Sequence, residues 1–433
     1  MEFLSIILGI GLLVLLVAVV KLDTFISFML SCIFIGLMEG LSIGETINAI
    51  QKGIGDTLGS LVIILGFGAM LGKLVAESGA ANQITNSLVQ KFGLKNIQLA
   101  LLATGFIVGI PMFYLVGFVI LVPLVIAIAH KTKLPLLYIG LPMLASLSVT
   151  HGFLPPHPAP TAIAELYQAD IGLTLIYGII VGIPAILSAK FVLAKTMKRI
   201  NPPLLKEFIV SEESNYKIPS LTTSLIIALM PVLLIGGSSL LNFYWPNNSV
   251  IISIGNPSIA MLVATLMAIY FLGIKTGRNT KQVMKIVTHS ISGIAVVMLV
   301  IAGAGALKAI MVETEISDKI GMALSGLGLS PLILAWVIAA LIRVSVGSAT
   351  VAALTAGSIM SPMIGTANVS LELLVLATGA GSIAFSHIND GGFWLFKEYF
   401  NVSIKETFLS WSIMETTVSV VGLLGVLLLN LIL

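Results

Sequence analysis

Apolar stretches of about 20 residues, the length at which an α-helix crosses the hydrocarbon core of a bilayer, recur along this chain from end to end. Only helices and closed barrels satisfy all their backbone hydrogen bonds in that environment. The composition agrees, because 58% of the 433 residues are hydrophobic and 9% are charged, whereas a soluble domain carries roughly 25% charged residues. The sequence therefore predicts an all-α polytopic membrane protein, and the net charge of +3 gives no indication of nucleic-acid binding.

Hydropathy and charge divide the chain into two halves of similar organisation. The only long polar interval lies at 196–219, which is rich in charged residues. We predict a first repeat over 1–195, a cytoplasmic linker over 196–219 and a second repeat over 220–433. We also predict about ten transmembrane helices and two further hydrophobic regions: spans at 3–20, 24–41, 57–78, 135–168, 171–195, 220–243, 257–273, 286–311, 371–396 and 407–431, and regions at 96–130 and 329–366.

Ordered matches between the halves indicate an internal repeat. The segments at 66–84 (GFGAMLGKLVAESGAANQI) and 303–320 (GAGALKAIMVETEISDKI) share a G-x-G-A start, a lysine and a valine before a glutamate. Their glycines are expected to serve close helix packing. Further along, His151 corresponds to His387. Because each half has an odd number of predicted spans, the second half would enter the membrane in the opposite orientation, as in transporters built from inverted repeats.

The regions at 96–130 and 329–366 are too long for one span and barely long enough for two. Each has a small or polar centre, GIPMFY at 109–114 and RVSVGSAT at 343–350. Two re-entrant helical hairpins whose tips meet within the membrane account for both features; a tilted span followed by a loop is the alternative. The charges favour hairpins, because most of the 22 Lys and Arg residues then lie on the cytoplasmic side, where basic residues are enriched. Both chain termini are then predicted on the outer side.

Two predicted spans contain sequences that an ordinary transmembrane helix tolerates poorly. The first, SVTHGFLPPHPAPT at 148–161, contains four prolines, each of which removes a backbone donor. The second, FSHINDGG at 385–392, adds an amide and a carboxylate. Non-helical backbone persists at membrane depth only where protein or a water-filled cavity covers it, and in transporters this is the substrate site. We therefore predict that both breaks and both hairpin tips meet in one polar pocket.

The polar residues of these segments are the candidate substrate-binding residues. Arg343 is the most informative, since an arginine at a helix centre costs about 2.5–3.5 kcal/mol and its planar guanidinium can hold a carboxylate with two hydrogen bonds. The alternatives are that Arg343 caps the hairpin or pairs permanently with Asp390. The hydroxyl and amide groups nearby suit a ligand with several hydroxyl groups. The predicted substrate-binding residues are Phe113, His151, Gly152, Arg343, Ser345, Gly347, Ser348, Thr350, His387 and Asn389.

Three residues are candidates for carrying a coupling proton: Asp390, His151 and His387. Histidine titrates near neutral pH, and Asp390 is the only carboxylate that we expect at mid-membrane depth. The histidines are equally suited to hold the broken helices in shape, and Asp390 to act as a fixed partner of Arg343 or of a backbone N–H. His157, which lies between prolines, is expected to be structural.

Signatures of enzymes are missing from the sequence. No Walker A sequence is present, so we do not expect ATP to drive this chain, and no cluster of His and Cys has metal-ligand spacing. Ser148 near His151 is the only loose arrangement of a nucleophile with a base. We therefore expect a secondary transporter with no catalytic residue, no metal and no cofactor, whose coupling ion would be a proton. A passive channel is the alternative, and the predicted hairpins and inverted repeats argue against it.

Four motifs, GFGAMLGKLVAESG, LSVTHGFLPPHPAPTAIA, RVSVGSATVAALTAG and FSHINDGGFWLFKEYFN, resemble those of the gluconate permease family of bacterial proton symporters. The likeness covers essentially the whole chain. It implies import of gluconate, a polyhydroxy monocarboxylate, with a proton across the bacterial inner membrane. Members of that family also carry related sugar acids or D-serine, so a D-serine or other hydroxy-acid permease is the alternative.

In layout, the chain is also similar to the citrate and dicarboxylate carriers, which are elevator transporters and usually dimers. That similarity implies a scaffold domain made of the first three spans of each half, a transport domain made of the hairpins and the last two spans, and a homodimer. One residue departs from the gluconate permease pattern. Family members often carry an acidic residue after the aromatic pair of the first tip, where this chain has Leu115. If that acid couples protons elsewhere, this chain is a uniporter or carries its proton on Asp390 or a histidine.

Overall fold

The structure is a computed structural model that describes residues 4–194, 196–200, 202–203, 216–246, 248–292, 294–315, 329–364 and 369–433. Most of the predicted linker, the end of the predicted second hairpin at 365–366 and the end of the second repeat motif at 316–320 lie outside these ranges. The helices of the first half are α1 (Leu4–Val14, continued by a π-helix over Leu15–Val20), α2 (Thr24–Met38), α3 (Ile43–Glu77), α4 (Ala80–Phe92), α5 (Ile97–Gly109), α6 (Tyr114–Thr132), α7 (Leu136–Phe153), α8 (Pro158–Tyr167) and α9 (Ile171–Val192).

Every regular element described in the second half is again a helix. These helices are α10 (Thr196–Arg199), α11 (Leu221–Tyr244), α12 (Ser249–Gly255), α13 (Pro257–Ala268, continued by a π-helix over Ile269–Gly273), α14 (Thr280–Ser292), α15 (Ala295–Glu313), α16 (Pro331–Val346), α17 (Ala349–Met360), α18 (Leu371–Ser382), α19 (Gly391–Tyr399), α20 (Ile404–Thr407) and α21 (Ile413–Asn430, preceded by a π-helix over Phe408–Ser412). Polar side chains start many helices by accepting hydrogen bonds from the free N–H groups of the first turn. Ser42 and Glu45 form a capping box at α3, and Asp170 and Ser220 cap α9 and α11.

Eight helical segments among the described residues are long and apolar enough to cross a membrane, or nine if α4 and α5, which are bent by 109°, count as one. Helices α2, α16, α17 and α18, and α1 with its extension, are apolar but shorter. The chain is therefore an all-helical, multi-pass membrane protein, as the sequence predicts. The predicted number of ten crossings exceeds the number that helix length alone supports. The eight segments are Ile43–Glu77, Tyr114–Thr132, Leu136–Tyr167, Ile171–Val192, Leu221–Asn242, Pro257–Thr276, Ala295–Glu313 and Ile404–Asn430.

Helix α3 is longer than predicted, because it begins at Ile43 rather than near residue 57. Polar side chains such as Lys52 and Asp56 interrupt the apolar pattern there, so hydropathy places the start of the span too late. The capping box described above starts the helix instead. At about 1.5 Å per residue, its 35 residues exceed the roughly 30 Å hydrocarbon core. Both ends of α3 can therefore contribute to cavities.

Helices α3 and α15 pack closely through Gly53 and Gly305. A Cβ atom at Gly305 would lie 2.2 Å from Thr57 Oγ1 and 2.6 Å from the Gly53 carbonyl oxygen. A Cβ atom at Gly53 would lie 2.4 Å from the Gly305 carbonyl oxygen. The glycine at 305 therefore serves close helix packing, as predicted for its segment.

Replacing Gly305 with alanine is expected to lower the thermal unfolding midpoint of the purified protein in detergent. The added methyl group meets the backbone of α3, so the two helices must separate, at a cost of about 1–3 kcal/mol. Gly66 is not packed closely, contrary to the prediction for its segment, because a Cβ atom there has no atom of a described residue within 4 Å. Gly66→Ala is therefore the matched control, since alanine is the better helix former. Equal midpoints for the two variants would contradict the packing described.

Four irregular segments interrupt the helices and position the candidate site. The first tip (110–113) joins α5 to α6, and the second tip (347–348) joins α16 to α17. The first break (154–157) separates α7 from α8, and the second break (383–390) separates α18 from α19. Helices α16 and α17 are 16 and 12 residues long. These lengths correspond to about 24 and 18 Å, so neither helix reaches across the roughly 30 Å hydrocarbon core.

Candidate functional site

A cavity of about 510 Å³ lies where the second tip meets the second break. Its other walls come from the start of α6, the end of α7 and the start of α21, with contributions from α3, α14 and α15. The lining includes one arginine, one lysine, two carboxylates and two histidines. Small-molecule sites have volumes of roughly 300–1,000 Å³, so this cavity has the size of a ligand site. Within the described residues, no three His, Cys, Asp or Glu side chains are grouped to hold a metal ion.

The second tip depends on a glycine. Gly347 has a φ of +82°, in the left-handed region that residues with a side chain disfavour, and its N–H donates to the Arg343 carbonyl at the end of α16. A Cβ atom at Gly347 would lie 2.3 Å from the Asn389 carbonyl oxygen. Ser348 starts α17 by accepting a hydrogen bond in its first turn. The second tip is therefore pressed directly against the second break.

Two side chains of the second break bind carbonyl groups that are left free at the end of α16. His387 Nε2 lies 2.9 Å from the Val344 carbonyl oxygen. Asn389 Nδ2 donates to the same oxygen at 2.8 Å and to the Ser345 carbonyl oxygen at 3.3 Å. These contacts attach the second tip to the second break.

Arg343 is buried, with 4% of its surface exposed, and pairs with Asp390 through an Nη2–Oδ2 distance of 2.5 Å. Asp390 also accepts hydrogen bonds from Ser386 Oγ and from the Gly392 N–H. Trp411 Nε1 donates to Ser386 Oγ at 2.7 Å. Arg343 thus forms an ion pair with Asp390 in this structure. This pair is one of the alternatives to a substrate contact that the sequence leaves open.

The ion pair leaves part of the Arg343 guanidinium without a partner. Its Nε and Nη1 atoms are buried and make no hydrogen bond to any described residue. A buried donor without a partner costs about 1–3 kcal/mol, and more when it is charged. Asn389 Oδ1 and His151 Nδ1 are unpaired in the same way. The cavity lining therefore contains unused cationic donors and an unused amide acceptor, and this combination can bind an anion that carries hydroxyl groups.

His157 joins the first break to the helix before the first tip. The match between the two halves pairs His387 with His151 instead. His157 Nε2 lies 2.8 Å from the Gly109 carbonyl oxygen at the end of α5, as His387 contacts the end of α16. His151 instead lines the cavity, with its ring centroid 5.6 Å from that of Tyr114. His151 and His387 therefore match in sequence but make different contacts. His157 makes the structural contact that the sequence analysis expects of it.

Most of the predicted substrate-binding residues line the cavity, whereas Gly152, Ser345 and His387 do not. Gly152 packs against the start of the second break, where a Cβ atom would lie 3.0 Å from Ile383 Cγ2. Ser345 Oγ donates to a carbonyl of its own helix, and His387 holds the end of α16. Asp390 also lines the cavity. The predicted binding residues in the lining are Phe113, His151, Arg343, Gly347, Ser348, Thr350 and Asn389.

Glu415 is a second carboxyl group in the cavity, so the prediction that Asp390 is the only deep carboxylate is wrong. Glu415 belongs to α21 and is 3% exposed, and Ser148 Oγ donates to its Oε1 at 2.5 Å. A signal for it exists in the sequence, since Glu415 is the only charged residue of the predicted span at 407–431. Trp411 also lines the cavity and is not among the predicted residues.

Comparison with known proteins assigns the chain to a family. The family model described as GntP family permease matches residues 1–432. The chain is 46% identical over 429 residues to a high-affinity gluconate transporter of Escherichia coli strain K12, and the matched region covers 98% of each protein. It is 44% identical to the Gnt-II system L-idonate transporter of the same strain, over 98% of this chain and 97% of the relative. It is 43% identical to a gluconate permease of Bacillus subtilis strain 168, over 100% of both proteins.

Two solved structures share the fold. The YdaH transporter of Alcanivorax borkumensis gives a TM-score of 0.68 at 17% identity, over 94% of this chain and 97% of the other. MtrF of Neisseria gonorrhoeae gives a TM-score of 0.62 at 14% identity, over 97% of this chain and 96% of the other. At these identities the likeness shows the fold alone. By the family model and by the identity to its relatives, the chain belongs to the GntP permease family.

Proposed function

We propose that this protein is a secondary active transporter that imports gluconate, a monocarboxylate sugar acid, across the bacterial cytoplasmic membrane together with a proton. The observation that carries the proposal is the pair of unpartnered nitrogens, Nε and Nη1, on the buried Arg343 of the cavity. A carboxylate supplies the charge-assisted hydrogen bonds that these donors lack. Relatives that are 43% and 46% identical are named as a gluconate permease and a gluconate transporter, which supports this substrate.

The rest of the cavity favours an anion with several hydroxyl groups over a simple one. Asn389 Oδ1 accepts no hydrogen bond from the described part of the chain, and Ser348 and Thr350 add hydroxyl groups to the lining. A site built to hydrogen-bond hydroxyl groups rejects an analogue without them, because its buried polar groups then stay unpaired. Phe113 and Trp411 add apolar surface to the lining, against which the C–H groups of a sugar acid can pack.

The proposal includes the inverted repeats over 1–195 and 220–433, with re-entrant hairpins at both tips, a cytoplasmic linker and both termini outside. The second hairpin is supported by the short lengths of α16 and α17. The repeat is supported by a similar contact in each half, because a histidine of the break binds the end of the helix before the tip: His157 in one half and His387 in the other. Helix α6, by contrast, is long enough to be a span, so its length does not decide between hairpin and crossing.

An elevator mechanism, with the tips and breaks in a transport domain, is the further part of the proposal. The binding group Arg343 lies in the last turn of α16, just before the second tip, and Asn389 lies in the second break, whereas α3, α14 and α15 add one wall. Helices α3 and α15 also line a second cavity of about 260 Å³ beside the end of α8. Along α3, Asp56 of the second cavity and Ala69 of the first are about 20 Å apart. We expect the scaffold to form a homodimer, which light scattering in detergent tests.

Proton coupling is proposed, and a uniporter is the alternative. Leu115, the residue that departs from the family pattern at the first tip, is 56% exposed and lines the cavity. Among the predicted proton carriers, His387 is bound to the end of α16 and Asp390 is paired with Arg343. His151 lines the cavity, and its Nδ1 has no hydrogen-bond partner among the residues that the structure describes, so it is the most available of the three.

Uptake of labelled gluconate by proteoliposomes that contain the purified protein tests the proposal. We expect saturable uptake that an inward proton gradient drives. We expect L-idonate, a stereoisomer of gluconate, to compete strongly, and D-serine weakly because it lacks the polyhydroxy chain. Saturable uptake without any response to the gradient would establish a uniporter. Absence of gluconate uptake, with protein-free liposomes as the baseline, would contradict the proposed substrate.

A further inference from the structure

Glu415 is a buried carboxyl group of the cavity that takes part in none of the proposed substrate contacts. It lies at the start of α21 and is 3% exposed. The Ser148 hydroxyl donates to its Oε1 at 2.5 Å. The ion pairs formed by the described residues involve other carboxylates. Glu415 is therefore a carboxyl group removed from water, with one hydroxyl donor and no cationic partner within the described part of the chain.

The other carboxyl group of the cavity has the opposite surroundings. Asp390 pairs with Arg343 and accepts two further hydrogen bonds. Such contacts stabilise an ionised carboxylate, whereas an ionised carboxylate without a cationic partner is strongly disfavoured in a low-dielectric interior. Asp390 is thus held as the partner of Arg343, whereas Glu415 has no such partner among the described residues and is suited to gain and lose a proton.

Titratable and charged groups surround Glu415 from several walls of the cavity. Helices α9 and α18 also pack against α21, but their own titratable residues, Asp170 at the cap of α9, Tyr177, Lys190 and Glu372, are outside the lining. A ligand in the cavity therefore interacts electrostatically with Glu415 and with the Arg343–Asp390 pair together. The titratable and charged residues that share the lining with Glu415 are Lys73, Tyr114, His151, His289, Arg343 and Asp390.

We propose that Glu415 carries the coupling proton, an inference that rests on the proposed import of a carboxylate. Arg343 and Asp390 together are neutral, so a bound gluconate leaves this part of the site negative. A protonated Glu415 adds nothing to that charge, whereas an ionised Glu415 adds a second negative charge that repels the substrate. Binding of the proton and binding of gluconate therefore strengthen each other reciprocally. On the cytoplasmic side the Glu415 O–H bond breaks, and its proton leaves to water with the substrate.

Glu415→Gln, which keeps the shape of the side chain and replaces the ionisable carboxyl group with a neutral amide that cannot release a coupling proton, tests the proposal in proteoliposomes of the full-length protein. We expect exchange of internal for external gluconate to persist, and gradient-driven accumulation and gluconate-evoked proton entry to be lost. The affinity of the parent for gluconate should fall as the pH rises, and that of the variant should not change with pH. Glu398→Gln is the matched control, since Glu398 is exposed and pairs with Lys397, and it should keep full coupling.

Accumulation by Glu415→Gln equal to that of the parent would overturn the assignment while the proposed substrate stands. Loss of coupling in His151→Gln with retention in Glu415→Gln would give the role to His151. If Glu415→Gln does not fold, Ser148→Ala removes the hydrogen-bond donor to Glu415 and should shift the pH profile of uptake; an unchanged profile would overturn the proposal. A parent that neither binds nor exchanges gluconate would refute the proposed function and this inference with it.

Discussion

In the Arg343→Ala variant we expect gluconate affinity to fall by at least about 100-fold and uptake to reach background, because charge-assisted hydrogen bonds contribute about 1.5–3 kcal/mol each. The parent holds two buried guanidinium nitrogens that make no hydrogen bond to a described residue, and the substrate carboxylate is the group proposed to satisfy them. Arg343→Lys should fail as well. A lysine ammonium can pair with Asp390, but it is a single point charge and lacks the separate Nε and Nη1 donors.

The double variant Arg343→Ala with Asp390→Ala separates binding from folding. The single alanine change leaves the partly buried Asp390 without its cation, which lowers stability by up to about 3–5 kcal/mol, so instability alone is enough to reduce uptake. The double change removes that charge and should recover most of the thermal midpoint without recovering gluconate binding. Calorimetric titration with gluconate, alongside the thermal midpoint in detergent, measures both effects. Near-normal binding in both the alanine and the lysine single variants would make the ion pair purely structural.

Gly347→Ala has the second largest expected effect, because two separate constraints act on that residue. Its φ of +82° costs a residue with a side chain about 1–2 kcal/mol. The new Cβ atom would also lie 2.3 Å from the Asn389 carbonyl oxygen, so the second tip must move away from the second break. We expect gluconate uptake to fall more than about tenfold, since a small misplacement of binding groups is enough for such a loss.

Gly277→Ala is the matched control for this change. Gly277 also has a positive φ, +103°, but a Cβ atom there has no atom of a described residue within 4 Å, and Gly277 is not one of the residues that line the cavity. The control therefore carries backbone strain without a collision, and its uptake per folded molecule should equal that of the parent. Equal uptake by Gly347→Ala and Gly277→Ala would show that the contact between the second tip and the second break does not position the binding groups.

The parts of the site that the sequence predicts are those in which a polar or irregular residue interrupts an apolar run. Arg343, Asn389 and Asp390 are costly inside a membrane unless protein or water covers them, so their presence alone indicates that they meet in a pocket. The break at 385–392 is predictable for the same reason, because free backbone groups inside a membrane must be covered by protein or water. The all-helical fold follows from the repeated apolar stretches for a similar reason.

The parts that the sequence does not predict depend on which helices become neighbours. Glu415 is the only charged residue of its predicted span, but it lies in a helix that continues past it, and its contact with Ser148 of α7 depends on which helices pack together. Gly152 and Gly347 are both glycines beside polar residues, yet one serves packing and the other a positive φ. His157 rather than His151 binds the end of α5, because the direction of each side chain depends on the path of the break.

A density map of the protein with gluconate bound tests most directly whether the cavity at the second tip is the substrate site. We expect the gluconate carboxylate within about 2.7–2.9 Å of Arg343 Nε or Nη1, and a gluconate hydroxyl group at Asn389 Oδ1. Gluconate density in the second cavity beside the end of α8, with the Arg343 nitrogens still unpartnered, would contradict that assignment.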